Sequence, residues 1–288
     1  MIDLFISVLL FNILVIFFKL FEKYKIDNLQ ALITNYIVSF LISCSLIKKD
    51  LVFTDFHNQI WFSHALIIGI LFISIFNLYA YSTQKIGIAL TSVNNKMSFI
   101  IPVIASFFIY NDEIFTLNKL VGISLALVGI FLASTKNTGL IFDKKYIWLL
   151  IILFLGQGIA DIILNDSKLY IGNNDLLTFF LVLFLSASIF GIIIVSIKSI
   201  FGTVKIKFKN IIAGIIFGVP NFYSILYFLK ALQSPDLISK TSFVFPLTSV
   251  AIVVSTTLVG IFFYNEKLFL RNYIGILIAI ISIFIISY

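Results

Sequence analysis

Two lysines lie inside long apolar stretches of this chain, in similar surroundings. Lys96 lies in VNNKMSFIIPV (93–103) and Lys240 in LISKTSFVFPL (237–247). A charge at the centre of a membrane helix costs roughly 2.5–3.5 kcal/mol on insertion scales, so such lysines usually face a cavity or a partner. We interpret both as positive groups beside a path for a carboxylate or another anion. The alternative is that their long stems carry the ammonium to the lipid headgroups.

Other polar side chains lie close to these lysines or in a similar setting. Asn95 and Lys96 share one helix face with Ser92, because they are spaced i, i+3 and i+4. Asp161, in GQGIADIILN, lies within an apolar run and could couple solute movement to a proton gradient. Gln157 lies one turn earlier on the same face, where it could hydrogen-bond a solute or Asp161. The alternative for Asp161 is an interfacial position near its helix end.

The composition places these residues in a membrane protein. The chain of 288 residues is 61% hydrophobic and 11% charged, whereas soluble domains are nearer half apolar and a quarter charged. The formal charge of +7 comes mostly from lysines in short connections, where they meet headgroups, so we predict no nucleic-acid partner. The single cysteine, Cys44, excludes an intrachain disulfide.

Ten apolar runs along the chain are long enough to suggest membrane-spanning helices, each of which needs about 20 mostly apolar residues. The sequence therefore predicts an all-α membrane protein with ten transmembrane helices. The first run lacks a basic leader and a small-residue cleavage site, so we interpret it as a retained helix. The runs lie near 2–20, 30–47, 61–83, 89–110, 118–135, 146–164, 176–197, 210–232, 237–263 and 272–287.

The two halves of the chain resemble each other. An offset of 144 residues, half the chain, relates Lys96 to Lys240, and further on YNDEIF (110–115) matches YNEKLF (264–269). We predict two five-helix repeats, 1–137 and 145–288. Five is an odd number, so the copies insert in opposite orientations and form an inverted repeat. The same offset relates Asn77 to Asn221, Tyr79 to Tyr223 and Pro102 to Pro246.

The matched residues suggest roles in a central site. Pro102 and Pro246 each remove a helical hydrogen bond, so they form either equivalent hinges or static bends. The matched polar pairs are candidates for solute binding, and the alternative is contact between helices. These pairs are Asn77 with Asn221 and Tyr79 with Tyr223.

Small residues suggest where helices approach closely. Gly214 and Gly218 form a GxxxG pattern, and Gly122 with Ala126 forms a related pair of small residues. Such pairs allow close packing of membrane helices, and we assign them no chemistry.

These features together resemble the drug/metabolite transporter superfamily, in particular its ten-helix EamA-type members. The repeat of five helices, the proline in the fourth and ninth helices, and the acidic turns with Glu113 and Glu266 carry the resemblance. Asn-Asp and Asn stand where the family usually has glycine before the turn glutamate. The resemblance implies a secondary transporter of a small organic metabolite in the inner (plasma) membrane, and it does not imply a substrate. The lysines, rather than the family, suggest a solute that is amino-acid-like or anionic. The resemblance also implies alternating access and termini in the cytoplasm.

The distribution of basic residues favours the opposite orientation. With ten helices, five lysines lie on the side of the termini and thirteen basic residues on the other. Cytoplasmic loops are usually the more basic ones, which would place the termini outside. Either this rule fails here, or the termini face out, or the helix count is off by one near an end. We follow the family and predict termini in the cytoplasm.

Several functions lack their sequence signatures. The chain has no GxxxxGK[ST] motif for ATP hydrolysis. His57 and His64 fall in or beside one connection, and no HExxH motif accompanies them. We therefore predict no enzyme activity, cofactor or metal. The competing hypotheses are a receptor or assembly protein that does not transport, and a lipid-modifying membrane enzyme.

Overall fold

The computed structural model describes residues 1–47, 56–85, 88–109, 115–134, 144–172, 175–201, 206–264 and 269–287. The predicted acidic turns, with Glu113 and Glu266, lie outside these residues. The described chain folds into eleven α-helices, joined by short connections. They are α1 (Ile2–Lys23), α2 (Asn28–Leu46), α3 (Ile60–Lys85), α4 (Ile88–Met97), α5 (Ile100–Ile109), α6 (Leu117–Ser134), α7 (Ile147–Ser167), α8 (Leu176–Ile200), α9 (Phe208–Gln233), α10 (Thr241–Tyr264) and α11 (Leu270–Ser287).

The described residues confirm an all-helical fold, and several of the apolar helices are compatible with a multi-pass membrane protein. Six of them, α2, α3, α7, α8, α9 and α10, are long and apolar enough to cross a membrane. Shorter apolar stretches lie on α1, on α4 with α5, on α6 and on α11. Nine of the ten predicted apolar runs correspond to one helix each, and the fourth corresponds to two.

The fourth run is interrupted four residues before its proline. Pro102 has no N–H to donate to the carbonyl of Ser98, and the helix stops at Met97 and restarts at Ile100. The backbone N–H of Ile101 instead donates to Ser98 O at 3.0 Å. The Ser98 hydroxyl donates to Asn95 O at 2.6 Å and so satisfies one carbonyl at the break. Pro102 then lies in the first turn of α5, where a proline is tolerated.

The second proline has a different setting, so the predicted equivalence of the two prolines is wrong for this structure. Pro246 lies inside a continuous helix, α10, which begins only at Thr241. Turns precede that helix, and the N–H of Lys240 donates to Leu237 O at 2.9 Å. Because the helix starts so close to Pro246, few carbonyls precede the proline and the helix need not break. Whether either proline acts as a hinge stays a prediction.

The GxxxG pattern brings two helices together, as predicted. A β-carbon on Gly214 would collide with the carbonyl oxygen of Ala31, and one on Gly218 would lie 2.9 Å from Cβ of Val38. Both contacts lie on α2. The absence of side chains at these two positions therefore sets the separation between α9 and α2.

A Gly214→Ala variant is expected to lower the stability of the protein by about 1–3 kcal/mol, the usual effect of overpacking a tight contact. The apparent melting temperature in detergent would measure the loss. Gly156→Ala is the matched control, because its new β-carbon would meet only side-chain atoms of Ile75, at 3.1–3.3 Å. Alanine favours the helix equally at both sites. Equal melting temperatures for the two variants would contradict the packing argument.

The last helix of each predicted repeat packs against the other in an antiparallel pair. Gly122, near the start of α6, contacts Ile286 near the end of α11, and Gly275 near the start of α11 contacts Ala133 near the end of α6. These two contacts are reciprocal. Gly275 follows Gly122 by 153 residues, and Ile286 follows Ala133 by the same number.

The remaining helices pack mostly across the two predicted repeats. α2 packs against α8 and α9, α3 against α7 and α8, and α1 against α9 and α10. α7 also contacts α4 and α5, and α10 contacts α5 and α6. The break between α4 and α5 therefore lies at the boundary between the repeats.

Candidate functional site

A cavity of about 130 Å³ lies between α1, α3, α4, α7, α9 and α10. Phenylalanine rings and aliphatic side chains make up much of its wall, and serine and threonine hydroxyls add polar positions. The wall also carries one lysine, one carboxylate and three amides, which are Lys96, Asp161, Asn95, Gln157 and Asn221. The sequence predicted all five as site residues.

Lys96 lies in the last turn of α4, at the break before α5. Its Nζ lies 4.0 Å from the centre of the Phe11 ring of α1, which is a cation–π distance. The free carbonyls at the end of a helix also favour a positive charge nearby. The ammonium therefore lies against an aromatic wall of the cavity, which favours the cavity role over an extended side chain at the headgroups.

A chain of hydrogen bonds links α4 to α7 beside this lysine. Asn95 Nδ2 donates to Gln157 Oε1 at 3.2 Å, and Gln157 Nε2 donates to Asp161 Oδ1 at 2.9 Å. The predicted bond between Gln157 and Asp161 is thus confirmed. Lys96 and Asp161 also attract each other electrostatically. The site therefore holds an amine and a carboxyl group, with an amide positioned on the carboxyl group.

Asn221 combines the two roles that the sequence left open. It is buried in α9 and lines the cavity. Its Nδ2 also donates to Asn35 Oδ1 of α2 at 3.1 Å. Asn221 is therefore both a cavity residue and a contact between helices.

Lys240 does not join Lys96 in the structure. It is exposed, in the turn that precedes α10, and the cavity wall does not include it. The predicted cationic centre of two lysines is therefore reduced to Lys96 alone. The physical reason is the late start of α10 at Thr241, which leaves Lys240 outside the helical segment that borders the cavity.

The other matched polar residues lie away from the cavity wall. Asn77 is half-buried in α3. The Tyr79 ring lies 6.1 Å from that of Phe18, and the Tyr223 ring lies 6.3 Å from that of Tyr227. The described residues that line the cavity do not include Asn77, Tyr79 or Tyr223. A solute role for these three residues stays a prediction without support from the geometry.

Some cavity residues were missed by the sequence. Phe11 gives no sequence signal, since it is one of 33 phenylalanines. Thr248 and Ser249 of α10 line the cavity, and their hydroxyls inside an apolar run could have been noticed. Ser98 also lines it, two residues after Lys96.

A second lysine of the described chain is buried. Lys168, at the end of α7, is 3% exposed. Its Nζ donates to Asn165 Oδ1 at 2.8 Å and to Thr241 Oγ1 at 3.2 Å. The Gln233 side chain of α9 donates to the Lys168 carbonyl at 3.4 Å. This cluster ties the ends of α7 and α9 to the start of α10.

Comparisons with known proteins support the fold and leave the function open. No family model matches the chain. An uncharacterised protein of Haemophilus influenzae (strain ATCC 51907 / DSM 11121 / KW20 / Rd) is 28% identical over 276 residues, which cover 94% of this chain and 92% of that protein. A crystal structure of a protein matches with a TM-score of 0.69 at 14% identity, over 99% of this chain and 94% of the other. At that identity the match shows a shared fold alone.

Proposed function

We propose that this chain is a secondary transporter that moves a small organic metabolite across the inner (plasma) membrane by alternating access. The observation that carries the proposal is the cavity between the two predicted repeats, which holds Lys96 and Asp161 on different repeats. In membrane proteins, ionisable groups of this kind commonly mark the path of a solute or ion.

The helices that border the cavity support a division of the chain into two equivalent halves. With α4 and α5 counted as one broken helix, the cavity is bordered by the first, third and fourth helices of each half. These are α1, α3 and α4 in the first half, and α7, α9 and α10 in the second. A site at the interface of inverted repeats is typical of secondary transporters.

The contacts between helices support a twofold relation between the halves. If each helix is replaced by its counterpart in the other half, the α1–α9 contact corresponds to the α7–α3 contact. In the same way, the α2–α9 contact corresponds to the α8–α3 contact. All four contacts are observed. The antiparallel pair of α6 and α11 obeys the same relation. A β-carbon on Gly122 would lie 3.1 Å from Ser282 O, and one on Gly275 would lie 2.8 Å from Gly129 O. Ser282 follows Gly129 by 153 residues, as Gly275 follows Gly122.

These relations favour ten transmembrane helices in two inverted repeats, 1–137 and 145–288. That architecture, together with the sequence features, supports membership of the drug/metabolite transporter superfamily and its EamA-type branch. In line with this resemblance, we place both termini in the cytoplasm.

The chemistry of the cavity favours a small solute with a carboxylate, either amino-acid-like or simply anionic. Lys96 offers a cation to the carboxylate, the amides of Asn95 and Asn221 lie on the same wall, and the phenylalanines accept an apolar portion. The volume is comparable to the roughly 150 Å³ of an engineered protein cavity that holds benzene.

The relation between Lys96 and Asp161 suggests how a proton could be coupled to the solute. While Asp161 is ionised, it attracts the ammonium that the solute carboxylate needs. A proton on Asp161 removes this competition, so proton and anion each favour binding of the other, as linkage requires. The two would then cross the membrane together.

The direct test is solute flux in proteoliposomes that contain the purified chain. The vesicles are loaded with a mixture of neutral amino acids and small monocarboxylates, and entry of each labelled compound in exchange is measured. We expect exchange of one compound class above that of protein-free vesicles. Absence of exchange for the whole panel, with a folded and inserted protein, would instead favour a receptor or assembly role.

A further inference from the structure

A second ionisable contact joins the predicted repeats, away from Lys96 and Asp161. His64, in the first turns of α3, approaches Asp166 at the end of α7, with Nε2 and Oδ2 3.1 Å apart. Its other ring nitrogen, Nδ1, lies 2.9 Å from Ile60 O. The imidazole ring stacks on the Tyr170 ring with 5.8 Å between centres. The contact therefore connects an end of the first half to an end of the second.

The geometry identifies the protonation state in which this contact is complete. A neutral imidazole has one N–H donor and one acceptor nitrogen. Both nitrogens of His64 face oxygens that accept, a backbone carbonyl and an ionised carboxylate. Both hydrogen bonds can therefore form together only when the ring carries two protons. With one proton, either the carbonyl bond or the link to Asp166 is lost.

The contact lies next to elements that border the cavity. Asp166 follows Leu164, a cavity residue, by two positions on α7, which also carries Asp161. On α3, Phe72 lines the cavity and lies eight residues from His64, about 12 Å at 1.5 Å per residue. A change in the separation of α3 and α7 at this end would thus alter the cavity wall.

Other ionisable groups lie on the elements around this histidine. Asp166 and Tyr170 contact its ring directly. Three further ionisable groups lie on neighbouring elements. His57 is exposed on the one-turn helix before α3, and Asp175 lies at the start of α8. The third group is the ammonium of Lys168, which donates to Asn165 and Thr241. The proton on His64 alters a hydrogen bond that joins α3 and α7 directly.

We propose that the His64–Asp166 contact is a proton-dependent latch between the two halves. With two protons on His64 the latch holds the start of α3 against the end of α7. Loss of one proton weakens it, because the ring charge that attracts Asp166 is gone and a single N–H is left for two acceptors. Imidazole is the side chain whose charge ordinarily changes between about pH 5 and 8, which sets the pH range over which the latch is tested. Release of the latch would open one end of the cavity, and this role rests on the proposed alternating access.

The test of the latch measures the distance between two spin labels and needs no solute. Spin labels are attached to cysteines at Ser63 and Leu169, which are exposed beside the contact, in a Cys44→Ser background that removes the only native cysteine. Dipolar broadening of the EPR spectrum in nanodiscs is compared at about pH 5 and about pH 8. We expect the labels to be close at the lower pH and to separate at the higher pH.

Matched variants identify which side chains cause the pH-dependent change in label separation. His64→Gln and, independently, Asp166→Asn are expected to lose the pH-dependent change, whereas His57→Gln and Asp236→Asn, both at exposed positions, keep it. A separation that does not change with pH in the parent protein would overturn the latch. So would a change that persists in either latch variant. Because no flux is measured, failure of the latch and failure of the transport proposal are distinguishable.

Discussion

A Lys96→Met variant is expected to bind its solute about 10- to 100-fold more weakly than the parent protein. A hydrogen bond to a charged group contributes about 1.5–3 kcal/mol, and each 1.4 kcal/mol is a factor of ten in affinity. Methionine keeps an unbranched, polarisable stem against Phe11, so the loss would reflect the missing charge rather than missing packing. The concentration dependence of exchange in proteoliposomes measures the change, with the compound found in the solute panel.

Lys240→Met is the matched control for this experiment. The two lysines share the same local sequence pattern, and the sequence assigned both to the site. The structure separates them, since Lys96 lines the cavity and Lys240 is exposed before α10. We therefore expect Lys240→Met to leave the apparent affinity nearly unchanged. Equal losses in both variants, or no loss in Lys96→Met, would contradict the assignment of the solute site to Lys96.

An Asp161→Asn variant is expected to abolish accumulation driven by a proton gradient and to spare exchange between preloaded and external solute. Asparagine retains an oxygen that can accept the Gln157 hydrogen bond, but it cannot take up a proton. It also no longer attracts the Lys96 ammonium, so it resembles the state that binds an anion. Solute should then only equilibrate across the membrane, whereas the parent protein concentrates it.

Two measurements on the same vesicles distinguish proton-coupled uptake from solute exchange. Uptake with an imposed pH difference reports coupling, and exchange without one reports binding and movement of the loaded protein. Asp236→Asn, at an exposed turn position, controls for the change of charge. Concentrative uptake that survives in Asp161→Asn would rule out Asp161 as the coupling group. Loss of exchange as well would assign Asp161 to solute binding instead.

The positions of the helices could be predicted from the sequence because a local property determines them. An apolar run of about 20 residues in a bilayer must satisfy its own backbone hydrogen bonds, and a helix does so within the segment. The same reasoning singled out Lys96, Asp161 and Gln157, since polar side chains in such runs tend to face the protein interior. The i, i+4 spacing of Gln157 and Asp161 placed them on one helix face, where their hydrogen bond was one of two alternatives for Gln157.

The interruption before Pro102 shows where local reasoning was incomplete. The sequence indicated a kink or a hinge, but the same proline motif accompanies a full break in the fourth run and a continuous helix in the ninth. The proline motif is alike in the fourth and ninth runs. The two runs differ in the position at which the helix or turn before the motif ends. That position depends on the contacts of neighbouring helices rather than on the motif.

The sequence by itself determined that the chain is apolar and helical. It also predicted two similar halves and singled out polar groups inside apolar runs that need partners. Only the tertiary structure decided that Phe11 faces Lys96, that Lys240 lies outside the cavity and that His64 meets Asp166. Phe11 and Lys96 are far apart in the chain, as are His64 and Asp166, so no local pattern encodes their contact. Such pairs are selected by close packing between helices, which depends on the fit of whole surfaces.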